Sequence, residues 1–167
     1  SILVSNICCT VGKCYDLVDR DLLITGAPLH DIGKVEELSC NAYIDYTVKG
    51  RLMGHIVMGF MIINSLISKI PDFPVLLREH LLHLILSHHG DDQAGSPVKP
   101  LTLEASILHN ADLLDSEAAA FSRIINNEKY SGRDFSEWVN IADRFIYLKP
   151  YQIDNNVIHN QNQIDNL

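Results

Sequence analysis

Residues 29–34 read LHDIGK. They set His30, Asp31 and Lys34 together at the end of an apolar stretch that includes Leu22, Leu23, Ile24, Ala27 and Leu29. Burying ionisable side chains is costly unless something pairs with them. The pattern therefore asks for a salt-bridge network, an acid–base pair or a bound metal ion. How the flanking chain folds decides which other side chains can meet these three.

Upstream, Ile2, Leu3, Ile7, Val11, Leu17 and Val18 recur at roughly helical spacing, so a helix is expected over 2–18, with Cys8 and Cys9 in it. Asp19 is a fitting N-cap for a second helix starting near Asp21. Pro28 is expected to kink that helix, or to make it reform just before His30. Downstream, residues 38–51 lose the helical period. AYIDYTVKG (42–50) alternates weakly, as an extended loop or short hairpin does. A helix over 52–70 would carry His55 in its first turn. Pro71 and Pro74 bracket a short connection, and a helix over 75–89 would end at Gly90 as its C-cap. GDDQAGSPVKP (90–100) is a loop by composition. Thr102 to Glu104 opens a helix reaching about residue 126. A last helix is expected over 135–148, packed by Phe135, Trp138, Phe145 and Tyr147 and ended by Pro150. The Asn-, Gln- and Asp-rich remainder, which contains His159, reads as a poorly ordered tail. Five or six helices with little strand imply an all-α bundle. The expected organisation is one domain over 1–150 and a polar tail over 151–167.

Composition bounds the function. A hydrophobic share of 47% in 167 residues supplies a core without disulfides. The four cysteines form no Cys-x-x-Cys pair, so they read as reduced thiols of a cytoplasmic protein. No apolar run reaches the ~20 residues of a membrane span, and no signal peptide is visible. The first residue is Ser, so the chain reads as a fragment. A net charge of −8 argues against a generic basic surface for nucleic acid. It leaves a phosphate substrate open, because bound divalent cations reverse the local field.

The histidines carry more information. His30–Asp31, His55, His88–His89, Asp112 and Asp115 fall on the ends or faces of expected helices. Imidazole nitrogen with carboxylate oxygen suits Mn, Fe, Zn, Ni or Co, with Mg possible. Adjacent helical residues project about 100° apart, so one pair can serve two ions. Asp112 and Asp115 share a face, and Lys34 lies one turn beyond His30. Such a set describes a metal-assisted hydrolase, with two ions about 3.5–4 Å apart on a phosphoryl group and Lys34 stabilising the transition state. Each element also has an ordinary reading. His30–Asp31 alone is more often a helix-end hydrogen bond. His88–His89 complements a helix C-terminus. Asp112 with Asp115 can be a solvated acidic face, and His55 can pack at a helix start. His80 reads as surface. His83 reads as a hydrogen-bonded core residue or one that orients a ligand. His109, one turn before Asp112, either orients that carboxylate or is structural.

LHDIGK, the Gly54–His55 pair, LSHHG (86–90) and HNAD (109–112) resemble the HD-domain phosphohydrolase superfamily. DRDLLITGAPLHDIGKVEEL, YTVKGRLMGHI, HLILSHHG and GSPVKPLTLEASILHNADLLDSEAAAF are similar, more closely, to the HD domain of YhaM-type 3′-to-5′ exoribonucleases. FSEWVNIADRFIYLKP fits more loosely. The resemblance implies an all-α HD fold with a metal-dependent phosphodiesterase centre. It implies one ion on His30, Asp31 and Asp112, and a second held by His55, His88 and His89. Lys34 would stand near the scissile phosphate with Asp31 as its catalytic partner, and Asp115 would be an additional ligand. Manganese is the favoured ion among the divalent candidates. The family's first histidine ligand would fall just before Ser1, so the chain is expected to lack it. It is also expected to lack the family's single-strand-binding OB-fold domain.

Three functions follow as expectations. The first is a metal-dependent phosphodiesterase removing nucleotides from the 3′ end of RNA or single-stranded DNA. The second is a phosphohydrolase of mononucleotides or signalling nucleotides. The third is a non-catalytic HD scaffold that binds nucleotide. A membrane partner is not expected, and a homo-oligomer is compatible with all three.

Overall fold

The computed structural model describes residues 2–40, 43–91, 95–140 and 142–149; the expected tail from residue 151, with His159, lies outside them. Among the described residues six α-helices and one hairpin follow in order. They are α1 Ile2–Val11, α2 Arg20–Leu29, α3 Lys34–Glu37, β1 Leu38–Cys40, β2 Ile44–Tyr46, α4 Val48–Ile67, α5 Val75–Ser87 and α6 Leu103–Glu128. The all-α expectation holds. The chain divides into two compact units, residues 1–116 and 117–167.

The first unit is built around one apolar core. Val4 and Cys8 of α1 meet Leu22, Leu23 and Ala27 of α2, Ile63 and Ile67 of α4, Leu84 and Ile85 of α5, and Leu108 and Ala111 of α6. Burial of these apolar faces is the main favourable term in folding, and it sets the helices that carry His30, His55, His88 and Asp112 side by side. The first helix is shorter than expected. It stops at Val11, and a 3-10 turn covers Gly12–Cys14 before the chain extends at Tyr15. Asp19 caps α2 as its sequence suggests, accepting from the Leu22 N–H at 3.0 Å. Pro28 does not break α2, which runs through to Leu29 while the His30 N–H donates to the Gly26 carbonyl at 2.9 Å. Pro28 forfeits the bond to the Ile24 carbonyl, and the helical bond of His30 beyond it is still made.

The weakly alternating segment forms a hairpin, with Leu38 opposite Tyr46 and Cys40 opposite Ile44. Helix α4 begins at Val48, earlier than expected, with the Thr47 hydroxyl accepting from the Gly50 N–H at 2.8 Å. It is interrupted at Gly54, whose φ of 70° and ψ of 156° are open to glycine and strained for other residues. By length and composition α4 is apolar enough to cross a membrane, contrary to expectation. Here its Ile56, Met58, Ile63 and Ile67 are buried inside the unit. Helix α5 ends at Ser87, with His88 as its C-cap and Gly90 at φ 94°.

In the second unit the described residues of 135–148 do not form a helix. Phe135 bridges Tyr147 and Val139 bridges Arg144, both antiparallel. The Ser136 N–H donates to the Ile146 carbonyl at 2.8 Å, and the Leu148 N–H to the Asp134 carbonyl at 2.9 Å. Ile146 and Leu148 are buried, whereas Phe145 and Tyr147 are about half exposed, which is the period of two of extended chain. Phe135 stacks near Tyr147 and Trp138 near Phe145, so these aromatics pair on a surface and do not pack a helix.

Candidate metal centre

His30 stands at the end of α2, fully buried. Its Nδ1–H donates to the Ala27 carbonyl at 2.5 Å. A carbonyl only accepts, so that contact puts the proton on Nδ1. Nε2 then points inward, 3.4 Å from both Asp31 Oδ2 and Asp112 Oδ1. His88 repeats the arrangement at the end of α5. It is fully buried, its Nδ1–H donates to the Ile85 carbonyl at 2.7 Å, and its Nε2 lies 3.8 Å from Asp31 Oδ1. The break at Gly54 leaves the next backbone N–H without a helical partner, and Glu37 uses it. Glu37 Oε1 accepts from the His55 backbone N–H at 2.9 Å and faces its Nδ1 at 3.2 Å. His55 Nε2 is thereby aimed at Asp31 Oδ1, 3.6 Å away.

Two overlapping groups result. Asp31, His55, His88 and His89 form one, and His30, His88 and Asp112 the other, with the potential ligand atoms of each within 4.8 Å of one another. The test of fit is a set of orphaned atoms. Nε2 of His30, His55 and His88, and Oδ1 of Asp31, are buried without a hydrogen-bond partner. Buried polar atoms are rarely left so. Three imidazole nitrogens and a carboxylate oxygen converging on one space match a divalent cation with mixed N/O ligands. The second contact of each imidazole fixes its orientation, as carboxylate and carbonyl partners do in metal sites.

Electrostatics agree. Burial alone would lower the His30 imidazole, but Asp112 and Asp31 outweigh it and push it up to about 9. Burial pushes His88 down to about 4, and it lowers His55 despite Glu37. Burial opposes ionisation of Asp31, yet His30 and Lys34 hold its carboxyl below the usual range. A pocket that retains a proton on His30 is one that favours positive charge. In the metal-free chain that shift stabilises the fold fully below pH 6.5, and the contribution is lost as pH rises through about 9. A cation binding there at pH 7 has to displace the His30 proton, whereas His88 is already neutral. Titration calorimetry in buffers of different ionisation enthalpy is expected to record close to one proton released per ion in this group. Its affinity should rise roughly tenfold per pH unit up to about 9.

Lys34 opens α3, and its Nζ donates to Asp31 Oδ2 at 2.7 Å while remaining partly exposed. Asp115 is on α6 but outside both groups. His83 is also outside them, with its Nε2 accepting from the Leu101 N–H at 2.9 Å. His109 does not orient Asp112. Its Nδ1–H donates to the His88 carbonyl at 2.8 Å and its ring lies against Gly90. Both of these histidines hold backbone. Glu37 was not among the residues the sequence singled out. Its one visible signal is its place three residues after Lys34, on the first short helix beyond the LHDIGK turn.

A family model for the HD domain matches residues 1–117. Curated relatives carry the name 3′-5′ exoribonuclease YhaM. The chain is 37% identical over 147 residues to that of Bacillus licheniformis, covering 87% of this chain and 45% of the relative. It is 39% identical over 140 residues to that of Oceanobacillus iheyensis, covering 83% and 43%. With that of Listeria welshimeri it shares 39% over 143 residues, covering 84% and 44%. The chain thus spans less than half the length of these relatives. No solved structure matches it. With its His–Asp dyad, its converging imidazoles and a family match over both, the chain belongs to the HD domain family.

Proposed function

We propose that this chain is the hydrolytic domain of a metal-dependent 3′-to-5′ exonuclease acting on RNA. The observation that carries the reading is the set of orphaned Nε2 and Oδ1 atoms of His30, His55, His88 and Asp31, with Lys34 alongside. The relatives' printed name supports RNA over the other substrates, and a cytoplasmic location belongs to the same reading. Phosphoryl transfer calls on a protein mainly for positioning and charge stabilisation.

His30, Asp31 and Asp112 would hold one divalent cation, and His55, His88 and His89 a second, with Asp31 facing both. Manganese, iron, nickel, cobalt and zinc suit these donors better than magnesium. Ions held there polarise the phosphoryl group and make water a stronger nucleophile. In the hydrolysis, water adds to the phosphorus of the last phosphodiester and the P–O3′ bond breaks. The upstream O3′ leaves and is protonated, and a nucleoside 5′-monophosphate departs. The Lys34 ammonium, held over Asp31, is placed to neutralise phosphoryl oxygens or to donate that proton.

The test is elemental analysis of the purified chain combined with hydrolysis of a 5′-labelled single-stranded oligoribonucleotide. Divalent metal and stepwise release of mononucleotides from the 3′ end are expected. Turnover of free nucleoside phosphates without oligonucleotide cleavage would move the assignment to a nucleotide phosphohydrolase. Lys34→Ala is expected to lower kcat by on the order of a hundredfold with metal content nearly unchanged. Loss of metal in that variant would make Lys34 structural.

A further inference from the structure

A cavity of about 490 Å³ adjoins the metal centre, walled by His89 to Asp91, by Lys99 and Pro100, and by Ser106 and His109 of α6. His89 belongs both to this wall and to the group formed with Asp31, His55 and His88. On α6, Ser106 and His109 are one turn apart and both line the cavity, and Asp112 lies one turn beyond His109. The cavity flanks α6 at Ser106 and His109, on the N-terminal side of Asp112, and Ser106 is roughly 9 Å from Asp112 along the axis. Two larger cavities of this unit, about 580 and 650 Å³, are walled mainly by apolar side chains such as Leu22, Ile63 and Leu77, with carboxylates (Asp19, Asp21, Glu104) at their edges, and neither is lined by a lysine or arginine that could meet a phosphate.

Lys99 is the cation in the polar cavity. Lys34, Lys49 and Arg51 are each paired with a carboxylate, whereas no carboxylate pairs with Lys99 among the described residues. The segment carrying it is pinned on both sides. Ser96, buried, accepts from the His89 N–H at 3.0 Å through its hydroxyl and donates its own N–H to the Asp91 carbonyl at 2.9 Å. Leu101 is tied to His83. Pro97 and Pro100 restrict φ on either side of Lys99. A lysine on a segment pinned in this way, beside a metal centre and without a carboxylate partner among the described residues, is preorganised for an anion.

We propose that this cavity is a nucleotide subsite in which Lys99 pairs with the phosphate next to the scissile one. The inference rests on the phosphodiesterase reading above and deepens it. Two substrates separate them: a single-stranded oligoribonucleotide, and bis(p-nitrophenyl) phosphate, which has a scissile diester and no neighbouring phosphate. Lys99→Ala is expected to raise KM for the oligonucleotide about tenfold with little change in kcat. The slope of log(kcat/KM) against log salt should fall in magnitude by about 0.7, the share of one single-strand phosphate contact. Lys99→Arg should restore KM to within about twofold, and Lys69→Ala, at another exposed lysine, should match the wild type. Lys99→Ala with wild-type KM on the oligonucleotide overturns the proposal. So does an equal loss on both esters, which would mean damage to the centre. A wild-type chain that cleaves neither ester overturns the phosphodiesterase reading and this inference with it.

Discussion

Replacing Asp31 with alanine is expected to lower metal-dependent hydrolysis by roughly a thousandfold or more, with the far-UV helical signal retained. Asp31 faces both candidate metal groups. Its Oδ1 looks towards His55 and His88, and its Oδ2 towards His30 and Lys34. Removing it takes a ligand from the group with His55, His88 and His89, and takes away the carboxylate that faces His30 of the other. It also leaves four imidazoles and an ammonium around a space with Asp112 as the remaining carboxylate of the two groups. Cation affinity should therefore collapse, and elemental analysis should record the loss beside the kinetics. The fold should survive, because Asp31 is partly exposed and the core beneath it, Leu23, Ala27, Leu84 and Ile85, is untouched. Hydrolysis that persists in Asp31→Ala would place the chemistry elsewhere.

The residues of this site were legible because they come in short local patterns. His30–Asp31 and His88–His89 are pairs at helix ends, and periodicity located those ends to within a few residues. The residues that orient them were not legible in the same way. Glu37 acts on His55 only because α4 breaks at Gly54, and a glycine in an apolar run does not announce a positive φ. The spacing of His109 to Asp112 suggests a shared role, yet His109 turns to the carbonyl of His88, the C-cap of α5, a tertiary contact that spacing cannot encode. The error over 135–148 has a different origin. Apolar and aromatic residues there fit either period over so short a stretch, and the buried pair Ile146 and Leu148 settles it as extended chain. The break expected at Pro28 does not form: α2 runs through to Leu29, held by the burial of Leu22, Leu23 and Ala27, a tertiary contribution that local sequence does not encode.

Gly33→Ala tests the packing that brings the two halves of the site together. Gly33 has a φ of −62°, which alanine adopts without strain, so any effect has to come from space. A Cβ at this position would lie 1.9 Å from the His55 carbonyl oxygen and 2.7 Å from the Gly59 backbone nitrogen. Both are backbone atoms of α4, and neither can rotate away as a flexible side chain can. Relief requires the turn after α2 and the body of α4 to separate by an ångström or more. That movement draws Asp31 and His30 away from His55, whose Nε2 is aimed at Asp31 across this contact. Overpacking of this kind is expected to cost about 2–4 kcal/mol, or roughly 10 °C in Tm for a domain of this size. Cation affinity should fall even below the melting range, since the ligand halves no longer meet at bonding distance. Gly54→Ala is the informative contrast. Open space surrounds that Cβ, so its penalty would come only from the φ of 70°. If Gly33→Ala melted with the wild type and bound metal equally, the close approach of the LHDIGK turn to α4 would not be what assembles the site.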